Sequence, residues 1–223
     1  MTLLHIFDMD GTLLRGTSAS LLLAEHLEVV DEVHDLERAS AAGKLSNREF
    51  HRRTHRLWQG RLTPEAIHDV FTSAPWMNGL AEVFADIDER GDISAVISMS
   101  PRFFVDGLRE RGAHYVYASE NPLDRQFDPD GVLEGEDKVR IAQSLLHKLR
   151  EILPVDDDIK IVAYGDSYTD IPLFESGVPS VAVNASPVVE ALATTSYRGR
   201  DLTRVLALGR ALATNSDCPA MRR

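Results

Sequence analysis

Five short apolar runs recur along the chain with helix-length stretches between most of them, and this alternation leaves few folds open. The runs Leu3–Phe7, Ile93–Ile97, Tyr115–Ala118, Ile159–Tyr164 and Ser180–Val183 have strand length. Between them, Leu80, Val83, Phe84 and Ile87 recur at helical spacing and stop at Gly91. Val139, Ala142, Leu145, Leu146, Leu149 and Ile152 do the same ahead of Pro154. Strands alternating with helices predict an α/β fold: a Rossmann-like parallel sheet with helices on both faces. No internal repeat or low-complexity tract interrupts the pattern.

The interval after the first strand is different. It holds no good strand, but it has an apolar-rich stretch over Ser20–Val30 and a capping-box spacing at Ser46–Glu49. A stripe of Phe50, Thr54, Leu57 and Trp58 follows, and Thr63-Pro64 reads as an N-cap with proline at the first helical position. The expected organisation is a core of residues 1–14 and 79–223, with a small helical cap of residues 15–78 inserted after the first strand. The tail from Ala211 to Arg223 lacks periodicity and is expected to be loosely ordered.

Charge and composition narrow the function. The net charge of −11 argues against a nucleic-acid or anionic-membrane binder, and 43% hydrophobic with 26% charged residues suits a globular protein. No run approaches membrane-spanning length, and because Met1 leads straight into a strand, no signal peptide is expected. The single cysteine, Cys218, excludes an intrachain disulfide. A cytoplasmic location is the resulting expectation; oligomeric state is not legible.

In open parallel sheets ligands bind beyond the carboxyl ends of the strands, and the chemistry-bearing residues fall there. Asp8-Met9-Asp10-Gly11-Thr12 follows the first run, placing two carboxylates where burial and mutual repulsion are costly unless a cation is near. One such carboxylate can attack phosphorus while its neighbour moves the proton. Gly165-Asp166 and Asp170 follow the fourth run, and with Asp8 and Asp10 they form an oxygen-donor set of the kind magnesium takes. Ser98 ends the second run, where a hydroxyl and free amides can hold a phosphate, with Pro101 in the first turn of the next helix. Lys138, one of four lysines against twenty arginines, can neutralise phosphate charge and restrain a carboxylate.

In order, spacing and strand-end placement, these four pieces resemble the motifs of the haloacid dehalogenase-like (HAD) superfamily. The insertion resembles the cap of the subclass that includes phosphoserine phosphatase, with Ala42–Leu45 and Trp76–Leu80 in the expected places. The resemblance implies a magnesium-dependent phosphomonoesterase acting on a small phosphorylated metabolite. Asp8 would be the nucleophile that forms an aspartyl-phosphate, and Asp10 the general acid and base. Magnesium would be held by the Asp8 carboxylate, the Asp10 backbone carbonyl and Asp166, supported by Asp170. Thr12, Ser98 and Lys138 would bind the phosphoryl oxygens. Two alternatives are a phosphotransferase that passes the group to an alcohol and a non-catalytic phospho-ligand binder.

For the substrate, the subclass uses an acidic and an arginine cap residue, but those positions fall near Thr17 and Thr54. Arg52, Arg53 and Arg56 lie close by as weaker substrate candidates. With Arg48, Arg61, His51 and His55 they read first as a solvated helix face, and alternatively as an anion-attracting one.

Overall fold

The computed structural model describes residues 1–153 and 158–214; Pro154 and Cys218, named above, lie outside the described residues. Six strands form one sheet: β1 (Thr2–Phe7), β2 (Ile93–Pro101), β3 (Tyr115–Ser119), β4 (Ile159–Gly165), β5 (Ser180–Val183) and β6 (Thr195–Tyr197). The order is β3-β2-β1-β4-β5-β6, and every pairing is parallel. The direction of strand succession reverses at β1 and β4, so the crevice at their carboxyl ends is the topological switch point.

Side-chain alternation sorts the sheet residues into two apolar layers. Leu3, Phe7, Val162 and Tyr164 enter one, with α5 (Leu80–Glu89) and α10 (Leu202–Thr214) packed on it. Leu4, Ile6, Ile161 and Ala163 enter the other, covered by α7 (Gly135–Ile152) and α8 (Ile171–Glu175). The short helices α6 (Arg102–Val105) and α9 (Pro187–Glu190) complete the set. Among the described residues, no helix is long and apolar enough to cross a membrane.

Between β1 and α5 stand four helices: α1 (Ala19–Leu27), α2 (Val30–Ala41), α3 (Asn47–Trp58) and α4 (Pro64–Ser73). The chain enters and leaves this insertion side by side, joined by Arg15 N–H to Pro75 O (3.0 Å) and Met77 N–H to Leu13 O (2.8 Å). Its apolar core is continuous with the first layer of the sheet, where Phe71 of α4 meets the Phe104 ring at 5.4 Å.

Several details differ from the sequence reading. The Ser20–Val30 stretch is two helices, because Glu28 turns left-handed (φ 58°) and ends α1. Ser46 does cap α3 by accepting from Glu49 N–H, but the Glu49 carboxylate turns to Arg52 and Arg53 instead of closing the box. β2 runs on to Pro101, which precedes α6 instead of sitting in its first turn; proline biases Ser100 before it towards extended backbone. Of the stretch expected to be a loose tail, Ala211–Thr214 is the end of α10, and residues 215–223 lie outside the described residues. Leu202, Val205, Leu206, Gly209 and Ala213 line one buried face at helical spacing.

Candidate active site

The turn after β1 builds the floor of the site. Asp8 N–H still pairs with Tyr164 O (2.9 Å), and then Thr12, Leu13 and Leu14 all donate to Met9 O, coiling the chain back. Met9 is buried, so Asp8 and Asp10 emerge on the other side, where both line one cavity of about 550 Å³. Gly11 has φ 81°, and a Cβ there would stand 2.1 Å from Asp166 Oδ2. The absence of a side chain thus lets the β1 and β4 loops touch. Gly165 does the same for Asp170, whose Cγ would lie 2.2 Å from an added Cβ.

Each carboxylate is held differently. Lys138 reaches in from the start of α7 and donates to Asp8 Oδ1 (2.7 Å) and Asp170 Oδ1 (2.5 Å), with all three groups buried. Asp170 Oδ2 accepts from the backbone of Asp166 (3.0 Å) and Ser167 (3.1 Å), so Asp170 shapes the loop as well as pairing the lysine. Thr12 Oγ1 donates to Asp166 Oδ1 at 3.3 Å. Asp10 accepts from Ala19 N–H (2.7 Å), at the N-terminus of α1, and from Ser100 Oγ (2.5 Å).

One lysine faces four carboxylates, and the acidities show the imbalance. Burial raises Asp8 and Asp166 above the usual carboxylate range; the Lys138 charge opposes this while neighbouring carboxylates add to it. Burial pushes Asp10 up to about 6, against the Ser100 and Ala19 hydrogen bonds, with the Glu37 charge reinforcing the rise. For Lys138 burial alone would lower the pKa, but Asp170 and Asp8 outweigh it and the net shift is upward. Asp8, Asp166 and Asp170 each offer an oxygen within 4.8 Å of the others. A set of hard oxygen donors whose buried charge one lysine leaves largely uncompensated fits a divalent cation such as magnesium.

The structure therefore brings together Asp8, Asp10, Thr12, Lys138, Asp166 and Asp170, with some changes of place. Thr12 touches Asp166, and Lys138 touches Asp8. Ser98 is fully buried and accepts from Ser100 N–H (3.1 Å), while Met99 stands on the cavity wall. Arg52, Arg53 and Arg56 are not brought to the site. They lie on the exposed face of α3, where Arg52 and Arg53 pair with Glu49, and none lines the cavity. Thr54 spends its hydroxyl on the Phe50 and His51 carbonyls. Two residues escaped the sequence reading: Ser100, and Glu37 of α2, which lines the cavity and accepts from Ser18 Oγ (2.6 Å).

His51 and His55 are buried, not part of a solvated face. Asn121 joins them: its Oδ1 accepts a hydrogen bond from His55 Nδ1–H (2.8 Å) and its Nδ2 donates to His51 Nδ1 (3.4 Å). Burial lowers His51 to about 4, against a hydrogen bond to the Met99 backbone. Folded His51 is thus neutral where the unfolded chain binds a proton, so it costs stability as pH falls from 6.5 towards 4. The expected loss is about 3 kcal/mol by pH 4, relative to a His51→Gln protein, in denaturant melts across that range. A stability difference between the two proteins that does not move with pH contradicts this assignment.

The haloacid dehalogenase-like hydrolase family matches the chain over residues 6–175, and the chain belongs to it. Within the family it is phosphoserine phosphatase-like. It is 26% identical over 204 residues to a phosphoserine phosphatase of Archaeoglobus fulgidus, covering 89% of this chain but only 57% of that protein. It is 25% identical over 209 residues to the phosphoserine phosphatase of Methanocaldococcus jannaschii, covering 91% of this chain and 95% of the relative. A substrate-bound phosphoserine phosphatase structure shares the fold, with a TM-score of 0.73 at 22% identity over 93% of this chain and 98% of that one.

Proposed function

We propose that this protein is a magnesium-dependent phosphomonoesterase that works through an aspartyl-phosphate on Asp8. The observation that carries this reading is the pairing on one cavity floor of two differently held aspartates, Asp8 on Lys138 and Asp10 on Ala19 N–H and Ser100. Asp8 keeps Oδ1 on Lys138 and attacks phosphorus with Oδ2; the bond to the leaving alcohol oxygen breaks as the new P–O bond forms. Asp10, raised to about 6, is protonated in a minority of molecules at neutral pH, a larger share than an ordinary aspartate keeps, and in that form it gives its proton to the leaving oxygen. It then takes a proton from the water that attacks the aspartyl-phosphate, which releases phosphate and restores Asp8.

Asp8 and Asp166 would hold the magnesium ion, with Asp170 beside them, and the ion would neutralise charge that otherwise keeps the nucleophile from the phosphate. Thr12 fixes the Asp166 carboxylate, and Ser98 acts through the Ser100 amide that it holds. The helical insertion, residues 15–78, roofs the cavity through Thr17, Leu21 and Glu37.

Hydrolysis of p-nitrophenyl phosphate tests the reading. Chelation of divalent ions is expected to lower the rate by about a hundredfold or more, and added magnesium to restore it and to raise Tm. Undiminished hydrolysis after chelation would remove the metal from the mechanism. If phosphate appears in a new ester when an alcohol is supplied, at the expense of free phosphate, the protein is a transferase.

A further inference from the structure

The far end of the cavity has a charge pattern of its own. Beyond the aspartates at its floor, its wall includes Glu37 of α2, Met99 near the end of β2, Tyr168 before α8, and Leu21 and Asn184. Among the described residues that line it there is no arginine, lysine or histidine. Lys138 lies behind Asp8 and is already shared between two carboxylates. The arginines of α3 turn outward. Beyond the floor, the one charged group that an alcohol carrying the phosphate would meet is thus the Glu37 carboxylate, with the Met99 thioether and Tyr168, a residue 60% exposed, beside it.

Glu37 is placed to meet that alcohol. It accepts from Ser18 Oγ, and Ser18 is the N-cap of α1, whose first amide holds Asp10. The carboxylate is thus tied, through one residue, to the group that protonates the leaving oxygen. A carboxylate on the substrate would meet Glu37 with no counter-charge and would bind poorly. An ammonium would pair with Glu37, and an aromatic ring such as that of Tyr168, which also lines the cavity, attracts cations.

Building on the phosphatase reading, we propose that the substrates are phosphate monoesters of short amino alcohols that carry no carboxylate, selected by Glu37. This separates the chain from the relatives named for phosphoserine, whose substrate bears both charges.

The test compares kcat/KM for phosphoethanolamine, glycerol phosphate, phosphoglycolate, phosphoserine and p-nitrophenyl phosphate in the native protein and in Glu37→Gln and Glu37→Lys. The native protein is expected to favour phosphoethanolamine over the neutral and the carboxylated esters by about tenfold or more. That preference ratio is expected to collapse by about tenfold in Glu37→Gln and to turn towards phosphoglycolate in Glu37→Lys. Equal use of carboxylated esters by the native protein, or a ratio unmoved by Glu37→Gln, overturns the inference and leaves the phosphatase reading standing. The native-protein panel decides even if the variants do not fold. If none of the five esters is hydrolysed in magnesium, the phosphatase reading falls and the inference with it.

Discussion

Asp8→Asn is expected to reduce kcat for p-nitrophenyl phosphate by about four orders of magnitude and to abolish covalent phosphate incorporation. An amide has nearly the carboxylate's shape, so the fold has little reason to change. Its oxygen can still accept from Lys138, which sits 2.7 Å from Oδ1. What it lacks is a nucleophilic oxygen with full negative charge. Burial raises the Asp8 pKa, while the Lys138 charge pulls it back towards the ionised, attacking form. Rate and stability therefore separate in this variant: activity is lost with a Tm that stays within a few degrees. Retention of more than about one per cent of the native rate would mean that another group attacks phosphorus.

The parts of this site differ in how far they can be read from the sequence, and the differences have physical causes. Asp8, Asp10, Asp166 and Asp170 are legible because each follows an apolar run by a fixed number of residues, and a parallel sheet brings the carboxyl ends of its central strands together. Lys138 is legible only as a basic residue early in a helix. Its contact with both Asp8 and Asp170 depends on how α7 packs under β1 and β4. Ser100 was obscured by the proline after it, which reads as a helix start; in the structure the extended backbone before Pro101 carries Ser100 to Asp10.

Glu37 has no local signal. It lies 27 residues from Asp10 on a helix whose own pattern says only that one face is polar, and packing of α2 on α1 brings it to the cavity. The α3 histidines show the converse. His51 and His55 sit among four arginines in the sequence, yet the helical period turns the arginines to solvent and the imidazoles onto Asn121.

The second large effect is on stability. Lys138→Met should destabilise the protein by about 3–5 kcal/mol at pH 8 without divalent ions, because it leaves Asp8 and Asp170 buried without their cation. For a chain of this size that is a fall in Tm of about 6–20 °C. The pH dependence has a definite sign. Burial already makes Asp8 harder to ionise when folded, and without the opposing lysine charge this grows, so the folded variant binds more protons as pH drops. Its defect should therefore shrink from pH 8 to pH 5, where a carboxyl can be neutral at little cost. Added magnesium should recover part of the loss at pH 8 by supplying positive charge to the same oxygens. A simple packing role for the long lysine stem predicts instead a defect independent of pH and of magnesium, since methionine nearly replaces the stem. Denaturant melts of the two proteins at both pH values, with and without the ion, therefore distinguish a buried counter-charge from a buried spacer.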